Sequence, residues 1–222
     1  MTRHQVAVDA AYKQASTAEN LETLHQRLAA FDGCSLKQTA KKLCFADGNP
    51  EGRVMLVGEA PGQEEDIQGK PFVGPSGRLL DDMLGAIGLG REQVYIANAV
   101  PWRPPGNRKP TPKEMEICKP FIARQIELAN PDFLILLGNI PVKQLVGMAE
   151  RITCLRGKWQ TYDTGTKRIC RLATFHPGYL IRRPSEKPLV QCDMLKLKVA
   201  LEKGPQADCV RSMPQTNKIN SR

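Results

Sequence analysis

Long apolar runs are missing from these 222 residues. No stretch of about 18 consecutive apolar side chains occurs, so a membrane-spanning helix is not expected. The seven cysteines are odd in number and irregularly spaced, which argues against a disulfide-stapled secreted domain. No Cys or His pair has the spacing of a zinc site, so no metal is expected. Residues 1–13 lack the apolar core and cleavage pattern of a signal peptide, and a cytoplasmic location is expected. Internal repeats are also absent. Acidic charge is in deficit, with 23 Asp and Glu against 32 Lys and Arg, and the net charge of +9 suits a polyanionic partner. Histidine is scarce: two of the three lie within the first 25 residues, which leaves His176 alone in the rest of the chain.

What is present fits one sizeable domain. Residues 1–20 are Ala-rich and expected to be flexible or weakly helical, residues 21–203 form the domain, and the polar tail 204–222 is expected to be disordered. Leu21, Leu24 and Leu28 are spaced for an amphipathic helix over residues 20–31. Further helices are predicted over 77–87, 111–129, 141–148 and 189–202. Thr111, Pro112 and Glu114 supply a cap, a first-turn proline and a first-turn acid for the second of these. Apolar runs at 54–57, 93–98, 132–137 and 169–174 read as buried strands. Their alternation with helices implies a three-layer α/β/α sandwich around a four-stranded, mostly parallel sheet.

Two loops stand just beyond strands. Val57-Gly58-Glu59-Ala60-Pro61-Gly62 turns sharply after the first strand, and Phe175-His176-Pro177-Gly178-Tyr179-Leu180 follows the last. Open α/β sheets place ligands at that edge. These loops resemble the uracil-DNA glycosylase superfamily, specifically its family 4. The resemblance extends through Glu65-Asp66, Gly69-Lys70-Pro71-Phe72-Val73-Gly74, Gly77-Arg78-Leu79-Leu80, Tyr95-Ile96-Ala97-Asn98 and Arg103-Pro104-Pro105-Gly106-Asn107-Arg108.

The resemblance implies a role for each of these residues. Phe72 stacks on a flipped uracil, and Asn98 reads its edge through an amide that both donates and accepts. His176 donates to uracil O2 as charge accumulates there. Glu59 and Glu65 are the carboxylates available for water and the cationic sugar, because Ala60 stands where better-known relatives carry Asp. Gly62 stands where those enzymes carry Tyr, and widens the pocket. Leu180 is expected to be the wedge that fills the duplex, with Arg182 and Arg183 on phosphates. Ser76, Arg108 and Gly178 are further DNA contacts, with Gly178 in place of a usual Ser.

Family 4 enzymes typically hold an iron–sulfur cluster on four cysteines. Here only Cys34 and Cys118 match those positions, while Phe31 and Trp102 occupy the other two. Two thiolates cannot satisfy a four-Cys site, so no cofactor is expected, and Cys44 is a poor substitute. The implied activity is removal of uracil from single- or double-stranded DNA by a monomeric, monofunctional glycosylase that starts base excision repair. The alternatives are a broader enzyme that also removes hypoxanthine or xanthine, and a non-catalytic module that binds damaged DNA.

Overall fold

A computed structural model describes residues 1–147 and 151–204. In chain order it contains helices α1 (Arg3–Ser16), α2 (Leu21–Ala30) and α3 (Leu36–Thr39), then strands β1 (Asp47–Gly48) and β2 (Val54–Gly58). Helices α4 (Gln63–Gln68) and α5 (Pro75–Gly85), strand β3 (Val94–Asn98), helix α6 (Pro112–Ala129) and strand β4 (Phe133–Leu137) follow. The chain continues through α7 (Asn139–Val146), α8 (Ile152–Leu155), β5 (Trp159–Asp163), β6 (Arg168–Thr174), α9 (Pro177–Arg182) and α10 (Lys187–Lys203). Residues 205–222, where a disordered tail is expected, lie outside the described residues.

The strands form one sheet in the order β1-β3-β2-β4-β6-β5. Its four central strands are parallel, as their apolar runs imply, and every residue of β2, β3 and β4 is buried. The sheet has six strands rather than four, because β1 and β5 add antiparallel edges. Neither edge could be read from an apolar run: β1 is Asp47-Gly48, and β5 is half-buried and carries Gln, Thr and Asp.

The amino terminus, expected to be flexible or weakly helical, is helical. Residues 3–16 form an ordered helix whose cap, Thr2, accepts a hydrogen bond from the Gln5 amide. Its buried face is Val8, Ala11 and Ala15, which are too small to register as a hydrophobic stripe but suited to close approach against α6. That face joins Leu24 and Leu28 of α2 and Met115, Ile117, Cys118 and Phe121 of α6 in a second apolar cluster beside the sheet core. Asn20 caps α2, and Thr111 and Glu114 cap α6 reciprocally.

Register brings the functional loops together. Gly58 pairs with Asn98 at the carboxyl ends of β2 and β3, and Leu137 pairs with Thr174 at those of β4 and β6. Glu59, Asn98, Gly138 and His176 therefore leave the sheet at one edge.

Candidate active site

His176 follows β6 and caps α9. The Gly178 N–H donates to its Nδ1 at 3.0 Å. A neutral imidazole that accepts at Nδ1 carries its proton on Nε2, which is then the free donor. Burial lowers the His176 pKa to about 4, assisted by the positive charge of Arg182. The ring is therefore neutral near pH 7, with one N–H to offer. Gly138 makes room for it: a Cβ there would stand 3.1 Å from the His176 Cβ, at a φ of +93° that favours glycine.

The His176 ring lies 5.5 Å from that of Phe72. Beneath Phe72 is Gly58, where a Cβ would come 2.4 Å from Phe72 Cζ and 2.5 Å from Asn98 Oδ1. Glycine at 58 thus allows an aromatic face and a buried amide to meet at the end of β2. Asn98 is 4% exposed, and its Oδ1 has no hydrogen-bond partner. A buried acceptor left unpaired costs about 1–3 kcal/mol, and such an atom at a strand end suits a ligand that donates to it. Phe72, Asn98 and His176 meet as the sequence implies.

The Phe72 backbone is left-handed, with φ of 54°. A non-glycine residue in that conformation costs roughly 1–2 kcal/mol, so its surroundings must hold it there. Gly77 approaches so closely that a Cβ would lie 1.8 Å from the Phe72 carbonyl oxygen.

Glu59 continues from β2, and its carbonyl accepts from the Val100 N–H at 3.1 Å. Burial raises its carboxyl pKa, against the opposing positive charges of Lys109 and Arg182. It is the carboxylate at the site that those two cations face. Lys109 does not stand out in the sequence, where it is one more cation in a Pro-rich loop.

Glu65 is placed differently from the expectation that it serves water or the cationic sugar. Its Oε1 accepts from the Val73 and Gly74 amides at 3.0 and 2.8 Å, and its Oε2 accepts from the Gly62 amide at 3.1 Å. The carboxylate is a clamp that ties the turn after β2 to the loop carrying Phe72. Gly62 belongs to the clamp as well, since a Cβ there would lie 2.7 Å from Glu65 Oε2. Its neighbour Ala60 packs against the amino-terminal apolar cluster.

Leu180 is no wedge. It is 1% exposed and sits in the sheet core, because the turn of α9 points it inward toward Leu79, Met83 and Met194. The exposed apolar side chain of α9 is Ile181, at 47%. Arg108, an expected DNA contact, is paired within the protein: its guanidinium bonds Glu114 at 2.6 and 2.8 Å, and this holds the Glu114 carboxyl below its ordinary range. Arg182 and Arg183 are exposed, as a phosphate contact requires. The Ser76 hydroxyl lies 2.9 Å from where a Gly178 Cβ would be, close to the His176 loop.

Donors for an iron–sulfur cluster do not converge. Phe31 and Trp102 are buried in the same apolar cluster as Cys34 and Cys118, and Phe31 packs on Phe121 with 5.1 Å between ring centroids. Cys34 and Cys118 are free thiols hydrogen-bonded to each other, which lowers the pKa of the first and raises that of the second. The Cys44 thiol donates to the Glu65 carbonyl at 3.1 Å, and burial raises its pKa to about 12. No three metal-ligating side chains gather among the described residues. The donor set does not fit a four-Cys cluster.

Known proteins match this sequence. Residues 45–197 match the model of the uracil DNA glycosylase superfamily. A type-4 uracil-DNA glycosylase of Thermotoga maritima is 39% identical over 188 residues, covering 83% of this chain and 96% of its own. Relatives of the same description from Archaeoglobus fulgidus and Saccharolobus solfataricus are 34% and 36% identical, covering 81% and 84% of this chain and 92% and 89% of their own. With the family model spanning more than half of its length, the chain belongs to the uracil DNA glycosylase superfamily.

Proposed function

We propose that this protein is a uracil-DNA glycosylase that hydrolyses the bond between uracil and deoxyribose in DNA. The carrying observation is the lone Nε2–H of a neutral His176, held at the same sheet edge as the unpartnered Oδ1 of Asn98. Removing a base requires that it leave the stack, which costs a few kcal/mol and least where uracil is mispaired. Phe72 then supplies a face for the base. Asn98 Oδ1 accepts from uracil N3–H while its amide NH₂ donates to O4; cytosine presents the opposite pattern and leaves that amide mispaired.

As the C1′–N1 bond breaks, its electron pair passes to the uracil ring and charge gathers on O2. The His176 Nε2–H donates there. Because His176 is neutral it keeps its proton and acts through a hydrogen bond that strengthens in the transition state. Water adds to C1′ from the other face and gives up a proton to the Glu59 carboxylate, from which it is passed to solvent. Glu59 is the carboxylate that orients that water and stabilises the cationic sugar, and Lys109 and Arg182 favour its anionic form. Glu65 contributes by holding both loops still. Arg182 and Arg183 contact phosphates, and Ile181 replaces Leu180 as the side chain able to enter the duplex.

The domain works without an iron–sulfur cluster in this reading. Phe31 and Trp102 fill by packing the space that ligation would otherwise organise. Purified protein should lack the thiolate–iron absorbance near about 400 nm. About four iron atoms per chain after anaerobic purification would contradict it.

The activity is tested by single-turnover incubation with oligonucleotides bearing uracil, hypoxanthine or xanthine, followed by alkaline cleavage of abasic sites. Uracil should be released, and His176→Ala should slow release about 10²–10³-fold with DNA binding nearly unchanged. Release of purines alone, or a His176→Ala rate within a few-fold of wild type, would refute the mechanism.

A further inference from the structure

We infer that Arg91, which lies outside the base site, is the positioning residue that sets Phe72 as the stacking platform. The inference rests on the role of Phe72 proposed above. Arg91 opens a single turn of 3₁₀ helix before β3. Its Nε donates to Asp81 of α5 at 2.7 Å, and one terminal nitrogen donates to Asp47 of β1 at 2.8 Å. The other terminal nitrogen donates to the Phe72 carbonyl, and the Pro71 carbonyl lies 3.5 Å from the first. One planar fork thus joins the edge strand, helix α5 and the backbone of the loop that carries the aromatic ring.

The fork acts where the backbone needs it. Phe72 is the left-handed non-glycine residue of this loop, and Gly77 closes on its carbonyl from α5. Glu65 fixes the next two residues through the Val73 and Gly74 amides, and among the described residues Arg91 is the side chain bonded to the Phe72 carbonyl. If the carbonyl were released, the Phe72 backbone could leave its left-handed conformation and carry the ring away from Gly58 and His176. Asp47 and Asp81 hold the guanidinium in turn, and Lys70 supports Asp47 at 3.3 Å. A lysine at 91 keeps the charge but cannot reach three acceptors in one plane.

A double-mutant cycle on the full chain tests this, with single-turnover excision from a uracil-bearing single strand as the readout. Phe72→Leu should slow excision on the order of 5–150-fold, the equivalent of one base–aromatic stack. Arg91→Met should slow it by up to about 10²-fold through misplacement of the ring. The double variant should be no slower than the slower single, because one residue acts through the other. Multiplying effects would overturn the role of Arg91 and leave the platform intact. A silent Phe72→Leu beside a slow Arg91→Met would overturn both. If Arg91→Met does not fold, Arg91→Lys enters the same cycle: it should melt near wild type yet excise slowly, and full excision by Arg91→Lys would also refute the inference.

Discussion

Replacing Glu65 by Gln separates a clamp from a catalytic acid. The substitution keeps size and shape and changes one oxygen into an NH₂. The remaining oxygen can still serve Val73 and Gly74, as Oε1 does now. The new NH₂ then faces the Gly62 N–H, donor against donor, where Oε2 accepted at 3.1 Å. A hydrogen bond to a charged group contributes about 1.5–3 kcal/mol, and a stranded buried donor costs about 1–3 kcal/mol. Glu65 is 8% exposed, so water gives little relief. A loss of about 2–4 kcal/mol follows, because the two effects overlap at one contact. For a chain of this size that is a fall in Tm of about 5–15 °C. Excision should fall as well, since the turn bearing Glu59 and the loop bearing Phe72 are no longer tied together. The acid limb of the pH–rate profile should nevertheless stay where it is. That limb belongs to Glu59, whose raised pKa places it above the ordinary carboxylate range, and Glu59→Gln should abolish it. Thermal melts by circular dichroism and single-turnover rates from pH 4 to 8 decide the matter. If Glu65→Gln melts within a degree or so of wild type while excision drops about 10³-fold or the acid limb disappears, Glu65 is in the chemistry and the clamp is wrong.

Three further outcomes follow from the same geometry. His176 has a folded pKa of about 4 against 6.5 when free, so its contribution to stability is full above pH 6.5 and is lost as pH falls toward 4. This amounts to about 3 kcal/mol. His176→Gln should therefore flatten the stability difference between pH 7 and 4.5 in urea titrations, and an unchanged slope would refute the neutral, desolvated ring. Trp102→Ala should cost roughly 3–5 kcal/mol by opening a cavity in the amino-terminal cluster, read by the same titrations at pH 7. A value below about 1 kcal/mol would mean that the cluster does not depend on the indole. Asn98→Asp should lower uracil excision and raise the relative release of cytosine, measured on paired oligonucleotides, and an unaltered ratio would remove Asn98 from edge reading.

Most of the sheet core could be read in the sequence because fully buried parallel strands leave uninterrupted apolar runs, as in β2 and β4. Helix α6 was equally legible, since Thr111, Pro112 and Glu114 are its cap. Helix α4 was not: its buried residues are Glu65 and Asp66, and no hydrophobic pattern can reveal a helix whose inward face is acidic. The same blindness led to a catalytic expectation for Glu65, because partners eight and nine residues away are backbone amides without sequence identity. Leu180 was misread for a related reason. Its place after His-Pro fits an exposed loop, but α9 carries it round into the core and turns Ile181 outward. Phe72, Asn98 and His176 were identified through motif resemblance and strand ends, and register made them neighbours.

The pairing of Gly58 with Asn98 has a consequence for how this protein can change. A strand slipped by one residue presents its other face, so the amide that chooses the base is set by the ladder hydrogen bonds that hold the core. Substitutions cannot shift that amide gradually without cost to folding. The loops at Gly62, Phe72 and Gly178 lie beyond the ladder and can be rebuilt piecemeal. New substrates should therefore arise among descendants of this chain by remodelling around a fixed amide, and laboratory selections for altered base choice should recover loop substitutions far more often than changes within β2 or β3.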